Sequence, residues 1–128
     1  MTVQELYEAA LALLSEQVQR AKSYNIFKIP IVNQIIAECF DINNGIRASE
    51  GLTPYTLAEM PMMKKEEDVI PYDIRLLRIC MPYGVASLLV IDDDKSKASV
   101  FSEEYNQRKA KLSFAVPEEV VDVYSEVE

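Results

Sequence analysis

Residues Pro71 to Asp94 read PYDIRLLRICMPYGVASLLVIDDD, the longest apolar segment of the chain. A proline opens it, a second proline at Pro82 interrupts it, and three aspartates close it. Pro71 suits the first helical position, because its missing N–H would have no intrahelical partner there and its φ is already helical. Ile74, Leu77, Met81, Val85, Leu88 and Leu89 recur mostly at steps of three and four, and Ile79, Cys80, Val90 and Ile91 widen the stripe. This periodicity predicts a helix that begins at Pro71, is buried on most sides and forms the core of the domain. Pro82 removes a backbone donor and crowds the carbonyl four residues back, while Gly84 adds freedom just after it. A kink is therefore expected between Arg78 and Pro82, and not a break, since the apolar stripe continues beyond it. Asp73, Arg75 and Arg78 leave the uncharged run too short to span a membrane.

Outward from this segment the chain reads as further helices. Thr2 followed by Glu5 is a capping-box pattern, so a first helix is expected from Val3, with Leu6, Ala10, Leu13 and Leu14 on one face. Ser23 to Asn25 forms the turn that follows, although the helix could extend to Lys22. A second helix is expected from Pro30 to Glu50, carried by Ile31, Val32, Ile35, Ile36, Cys39, Phe40, Ile42, Asn43 and Ile46 and stopped by Gly51. Asn43 and Asn44 near its end are expected to cap or bridge locally. After the central helix, one aspartate of Asp92 to Asp94 caps a fourth helix over Ser96 to Leu112, in which Glu104 and Arg108 form an (i, i+4) pair. The expected fold is all-α: a compact bundle of four main helices in residues 1–112.

Two segments fall outside this bundle. Residues 52–70, LTPYTLAEMPMMKKEEDVI, contain Pro54 and Pro61 at positions that forbid a long helix. Long loops are often functional, so Met60, Met62 and Met63 are a candidate partner-binding surface. They could equally fold back to fill irregular gaps in the core. Residues 113–128 form an acidic, valine-rich tail, SFAVPEEVVDVYSEVE, with Val120, Val121, Val123 and Tyr124 as candidate partner-binding residues. The tail either docks on its own domain or adds as a strand to a neighbour.

Composition narrows the function classes. A chain of 128 residues implies one domain near the size at which oligomerisation is a common supplement. The net charge is −8, and five of the 21 acids lie in the last twelve residues. An acidic balance argues against a phosphate-binding surface and hence against sequence-specific nucleic-acid binding. Cys39 and Cys80 have no CxxC spacing and no histidine accompanies them, so both are expected to be buried, reduced thiols. Thr2 to Glu8 is polar and acidic, unlike a signal peptide.

Few residues of the chain suit catalysis. Without histidine the common nucleophile–base triads are excluded, and Glu38 with Asp41 or Glu103 with Glu104 fall on polar helix faces. Asp92, Asp93 and Asp94 are consecutive, so their side chains diverge, and they lack the spaced pattern that wraps a calcium ion. No catalytic residue, metal or cofactor is expected, and the chain is not expected to be an enzyme.

The segments TVQELYEAALALLSE, AECFDIN, LLRICMPYGVASLLVIDDD and FSEEYNQRKAKL together resemble the small helical head-completion, or head-to-tail adaptor (neck), proteins of tailed bacteriophages and prophages. The resemblance spans most of the chain as a pattern of helices and is closest over Pro82 to Asp94 and Phe101 to Lys111. The latter segment carries a Y-x-x-R pair, Tyr105 and Arg108, that other small virion proteins also show. It implies a virion structural protein made in the bacterial cytoplasm, assembling with itself into a ring on a phage portal protein and extending the DNA channel toward the tail-side neck. The alternative from the residues alone is a small cytoplasmic helical module that binds one partner through the methionine-rich loop.

Overall fold

In the computed structural model, which describes residues 1–15 and 22–113, α1 (Val3–Leu13) starts at the anticipated capping box. Glu5 N–H donates to Thr2 Oγ1 (3.1 Å) and Thr2 N–H donates to Glu5 Oε1 (2.8 Å). The helix stops well short of Lys22: Leu14 is its C-cap, and Ser15 adopts a φ of 60°, a left-handed conformation that terminates helices.

The single helix expected over residues 30–50 is instead two. A short turn α2 (Lys22–Asn25) leads to α3 (Lys28–Glu38), and α4 (Phe40–Ser49) follows after a one-residue step at Cys39, where ψ opens to 3°. The step has a physical cause 36 residues away. Tyr72 Oη donates to the carbonyl of Ile36 (2.7 Å), which in a continuous helix would accept from Phe40 N–H. Periodicity does not reveal this break, because Cys39 N–H still donates to Ile35 O and Asn43 N–H to Cys39 O, so the helical ladder continues on both sides.

The central helix also departs from expectation. Pro71 and Tyr72 are not helical, and Asp73 is the cap: its Oδ1 accepts Arg75 N–H (2.9 Å) and its carbonyl accepts Leu77 N–H (3.1 Å). Leu76–Cys80 then forms a π-helical turn, in which Met81 N–H reaches back five residues to Leu76 O, and α5 (Met81–Val90) begins with Pro82 in its first turn. A proline in a helix interior costs about 3 kcal/mol. Restarting the helix at Met81 moves Pro82 to a position where no donor is required. The extra residue of the π-turn shifts the apolar stripe, so Leu76, Leu77, Cys80 and Met81 are buried while Ile74 and Ile79 are about half exposed. Ile91, also expected in the stripe, lies exposed in the turn after α5.

That turn leads to α6 (Lys95–Ser113), capped by Asp94, whose Oδ1 accepts Lys97 N–H (3.0 Å). Lys97 Nζ in turn donates to Leu14 O at the end of α1 (3.1 Å). Among the described residues there are thus five helices of ten residues or more, where four were expected, and no β-strand. α5 packs against α1, α3 and α6, with Leu6, Tyr7, Ala10 and Leu11 of α1 and Val32, Ile35 and Ile36 of α3 buried around it. Each of the leucine, isoleucine and valine side chains contributes about 1.5–3 kcal/mol on burial. Among the described residues no helix is long and apolar enough to cross a membrane.

The loop from Leu52 to Ile70 is pinned along its length. Asn44 donates to Tyr55 O (2.9 Å) and accepts Tyr55 N–H (2.8 Å), so one side-chain amide substitutes for a strand neighbour. Asn33 does the same for Met63, at 2.9 and 2.7 Å. Asn43, fully buried, accepts Asp73 N–H (2.8 Å). Asn43 and Asn44 therefore act over 30 and 11 residues of sequence and not locally as expected. At the far end the loop meets the N-terminus: Thr2 and Val69 form an antiparallel bridge, and Ile70 N–H donates to Met1 O (2.9 Å). Lys28 is buried at this junction, where its ammonium donates to Gln4 and Glu66 and lies 4.7 Å from the centre of the Tyr7 ring.

Candidate functional site

The Y-x-x-R pair of α6 joins that helix to α3 and to the central helix. Tyr105 is buried, and its ring lies against Gly84 so closely that a Cβ there would stand 2.9 Å from two ring atoms. Its hydroxyl donates to Glu38 Oε1 (2.9 Å) and lies 3.3 Å from Cys39 Sγ. Cys80 Sγ lies 3.9 Å from the Tyr105 carbonyl, and both cysteines are free and buried, as the sequence predicts. Burial, reinforced by the neighbouring Cys39, pushes the Tyr105 phenol well up. The neighbouring Cys80 side chain holds the Cys39 thiol below its ordinary value, while Cys39 and burial push the Cys80 thiol up. Arg108 stacks on the Tyr83 ring at 4.1 Å, pairs with Glu104 (2.8 Å) and donates to Ile79 O in the π-turn (3.0 Å). Both side chains of this motif are engaged inside the subunit, and the motif fastens α6 across the irregular part of the central helix.

The sequence-derived site residues are distributed differently. Met63 is buried at 8% exposure, Met60 is half-buried against the core, and Met62 stands out at 72%. Of the three, Met62 is the one that presents most of its surface outward, with Leu57 also exposed on the same loop. The three methionines therefore do not form one surface, because Asn33 holds the Met63 backbone and directs that side chain inward. Val120, Val121, Val123 and Tyr124 lie outside the described residues, as does the rest of the tail beyond Ser113. Among the described residues no three of His, Cys, Asp or Glu converge as metal ligands would.

A hollow at the end of the α5–α6 hairpin was not anticipated. Tyr24, Phe27, Ile31, Leu88 and Leu89 wall a cavity of about 250 Å³, and Asp92 and Asp93 stand at its rim. The Tyr24 hydroxyl donates to Asp93, whereas Asp92 is exposed and has no partner among the described residues. Phe27 is half exposed. Read in sequence, Phe27 falls in a stretch of loose periodicity, and its meeting with Leu88 requires α3 to pack on α5. A second groove, lined by Ser87, Ile91, Lys95, Ala98 and Ser102, shares Leu88 with that cavity.

Compared with protein families, with curated proteins and with solved structures, the chain matches none.

Proposed function

We propose that the protein is a structural subunit of a tailed-phage or prophage virion, a head-to-tail adaptor that assembles with copies of itself on a portal. The observation that carries this reading is the coincidence of two patterns. The two segments with the closest resemblance to neck proteins, residues 82–94 and 101–111, are the two arms of one α5–α6 hairpin. That hairpin is where Gly84, Tyr105 and Arg108 are used to fix a helix pair. The side chains that could do chemistry are spent on structure there, as in a subunit whose task is to hold its shape within an assembly.

The acidic balance suits a channel that passes DNA without holding it. Exposed Met62 and Leu57 support a second reading, a helical module that docks on one partner through the loop. Native mass spectrometry and light scattering of the full chain, alone and mixed with portal rings, separate the two. The adaptor should form closed oligomers, either alone or on the portal. A chain that remains monomeric and leaves the portal unbound rules the adaptor out.

A further inference from the structure

The hollow at the hairpin end has the form of a receptor for a flanked cation. Its walls are aromatic and aliphatic, its rim carries Asp92 and Asp93, and Asp92 has no partner among the described residues. An unpaired carboxylate beside apolar walls binds an arginine well, since the alkyl stem covers apolar surface while the guanidinium meets the acid. The chain presents the complementary group elsewhere. Among the four described arginines, Arg47 lies over the Tyr55 ring, Arg75 pairs with Asp73 and Glu50, and Arg108 pairs with Glu104. Arg78 alone has no partner there. It is exposed, and the π-turn places it beside Ile74 and Ile79, the two large apolar side chains that the register shift leaves about half exposed.

Arg78 cannot fill its own subunit's hollow. Fourteen residues of helix and turn separate it from Asp92, a span of roughly 20 Å along the axis, well beyond the length of an arginine. We infer that Arg78, with Ile74 and Ile79, docks into the Phe27–Leu88–Asp92 hollow of a second copy. The contact is heterologous, because the two patches differ and lie at opposite ends of the central helix. Repeated around an axis, such a contact closes a ring. This inference rests on the self-assembly in the proposed function and names the surfaces that would carry it.

The test is a charge exchange in the full chain. Arg78→Glu and Asp92→Arg each change an exposed residue with no partner among the described residues, and circular dichroism checks that both variants keep the fold. Each alone should weaken self-association roughly tenfold or more, since a like-charge contact replaces an attractive one. Mixing the two variants should recover it, because each then offers the surface the other lacks, and so should the double variant R78E/D92R. If the wild type forms oligomers and both single variants do so equally well, the inference falls while the adaptor reading stands. If only Asp92→Arg is impaired, a cation from another protein fills the hollow, and the inference again falls. A wild type that stays monomeric alone and with portal rings overturns both.

Discussion

At the scale of single residues, Gly84 and Tyr105 show how closely two helices can be forced together. A methyl group at position 84 would stand 2.9 Å from Ile35 Cδ1 and from two atoms of the Tyr105 ring. Ile35 can rotate away, but the ring is anchored by Glu38 and Cys39. Two effects oppose each other in Gly84→Ala. Alanine favours the helix by about 1 kcal/mol, and overpacking costs about 1–3 kcal/mol. Because the ring cannot yield, overpacking should win, and the variant should lose about 1 kcal/mol, seen as a lower urea midpoint at unchanged slope. A raised midpoint would mean that the hairpin has room to relax. In sequence, Gly84 reads only as added freedom near a proline, and the Y-x-x-R pair reads only as part of a resemblance to small virion proteins. The tyrosine on the other helix is what gives the glycine its role.

At the scale of elements, the chain's irregularities are held by side chains from distant positions. The loop after α4 has extended backbone groups with no strand to pair with, and Asn33 and Asn44 take the place of that strand. Removing one amide leaves a donor and an acceptor unpaired, at a cost of about 1–3 kcal/mol. Asn44→Ala should lose that much stability and speed amide hydrogen exchange around Tyr55, while exchange in α5 changes little. Asn44→Asp keeps the acceptor and loses the donor, so it should fall between. Unchanged exchange at Tyr55 in Asn44→Ala would show that the loop is held by other contacts. The helix break at Cys39 and the π-turn before Pro82 follow the same logic. Tyr72 takes a carbonyl at the first, and Arg108 takes one at the second.

At the scale of the whole molecule, buried tyrosines tie the fold to pH. Burial raises the phenols of Tyr7, Tyr72 and Tyr105, most strongly the last two. A group raised in the folded state holds its proton more tightly there than in the unfolded chain. Its stabilisation is therefore complete below the unfolded value of about 10 and is lost as pH rises beyond it. Urea midpoints measured from about pH 8 to about pH 11 should be level at first and then fall steeply above about pH 10. A flat profile would contradict the burial of these rings. At the acid end, backbone N–H groups lower Glu5, Glu59 and Asp68, and Arg75 lowers Asp73. Their contribution is present above about pH 4.5 and is lost as pH falls further.

The amino-acid pattern alone was enough for the class of fold, the capped start of α1, an aspartate cap on α6 and the burial of both cysteines. Each follows from local rules: periodicity, a side chain within reach of its own helix end, and an apolar environment. Tertiary contacts were needed to fix the division of the second helix at Cys39, which isoleucines face outward, and which methionine is exposed. Those outcomes depend on hydrogen bonds between residues tens of positions apart, such as Tyr72 to Ile36, Asn33 to Met63 and Arg108 to Ile79. A local pattern is silent on them, because a carbonyl can be claimed by a distant side chain without altering the spacing of apolar residues around it.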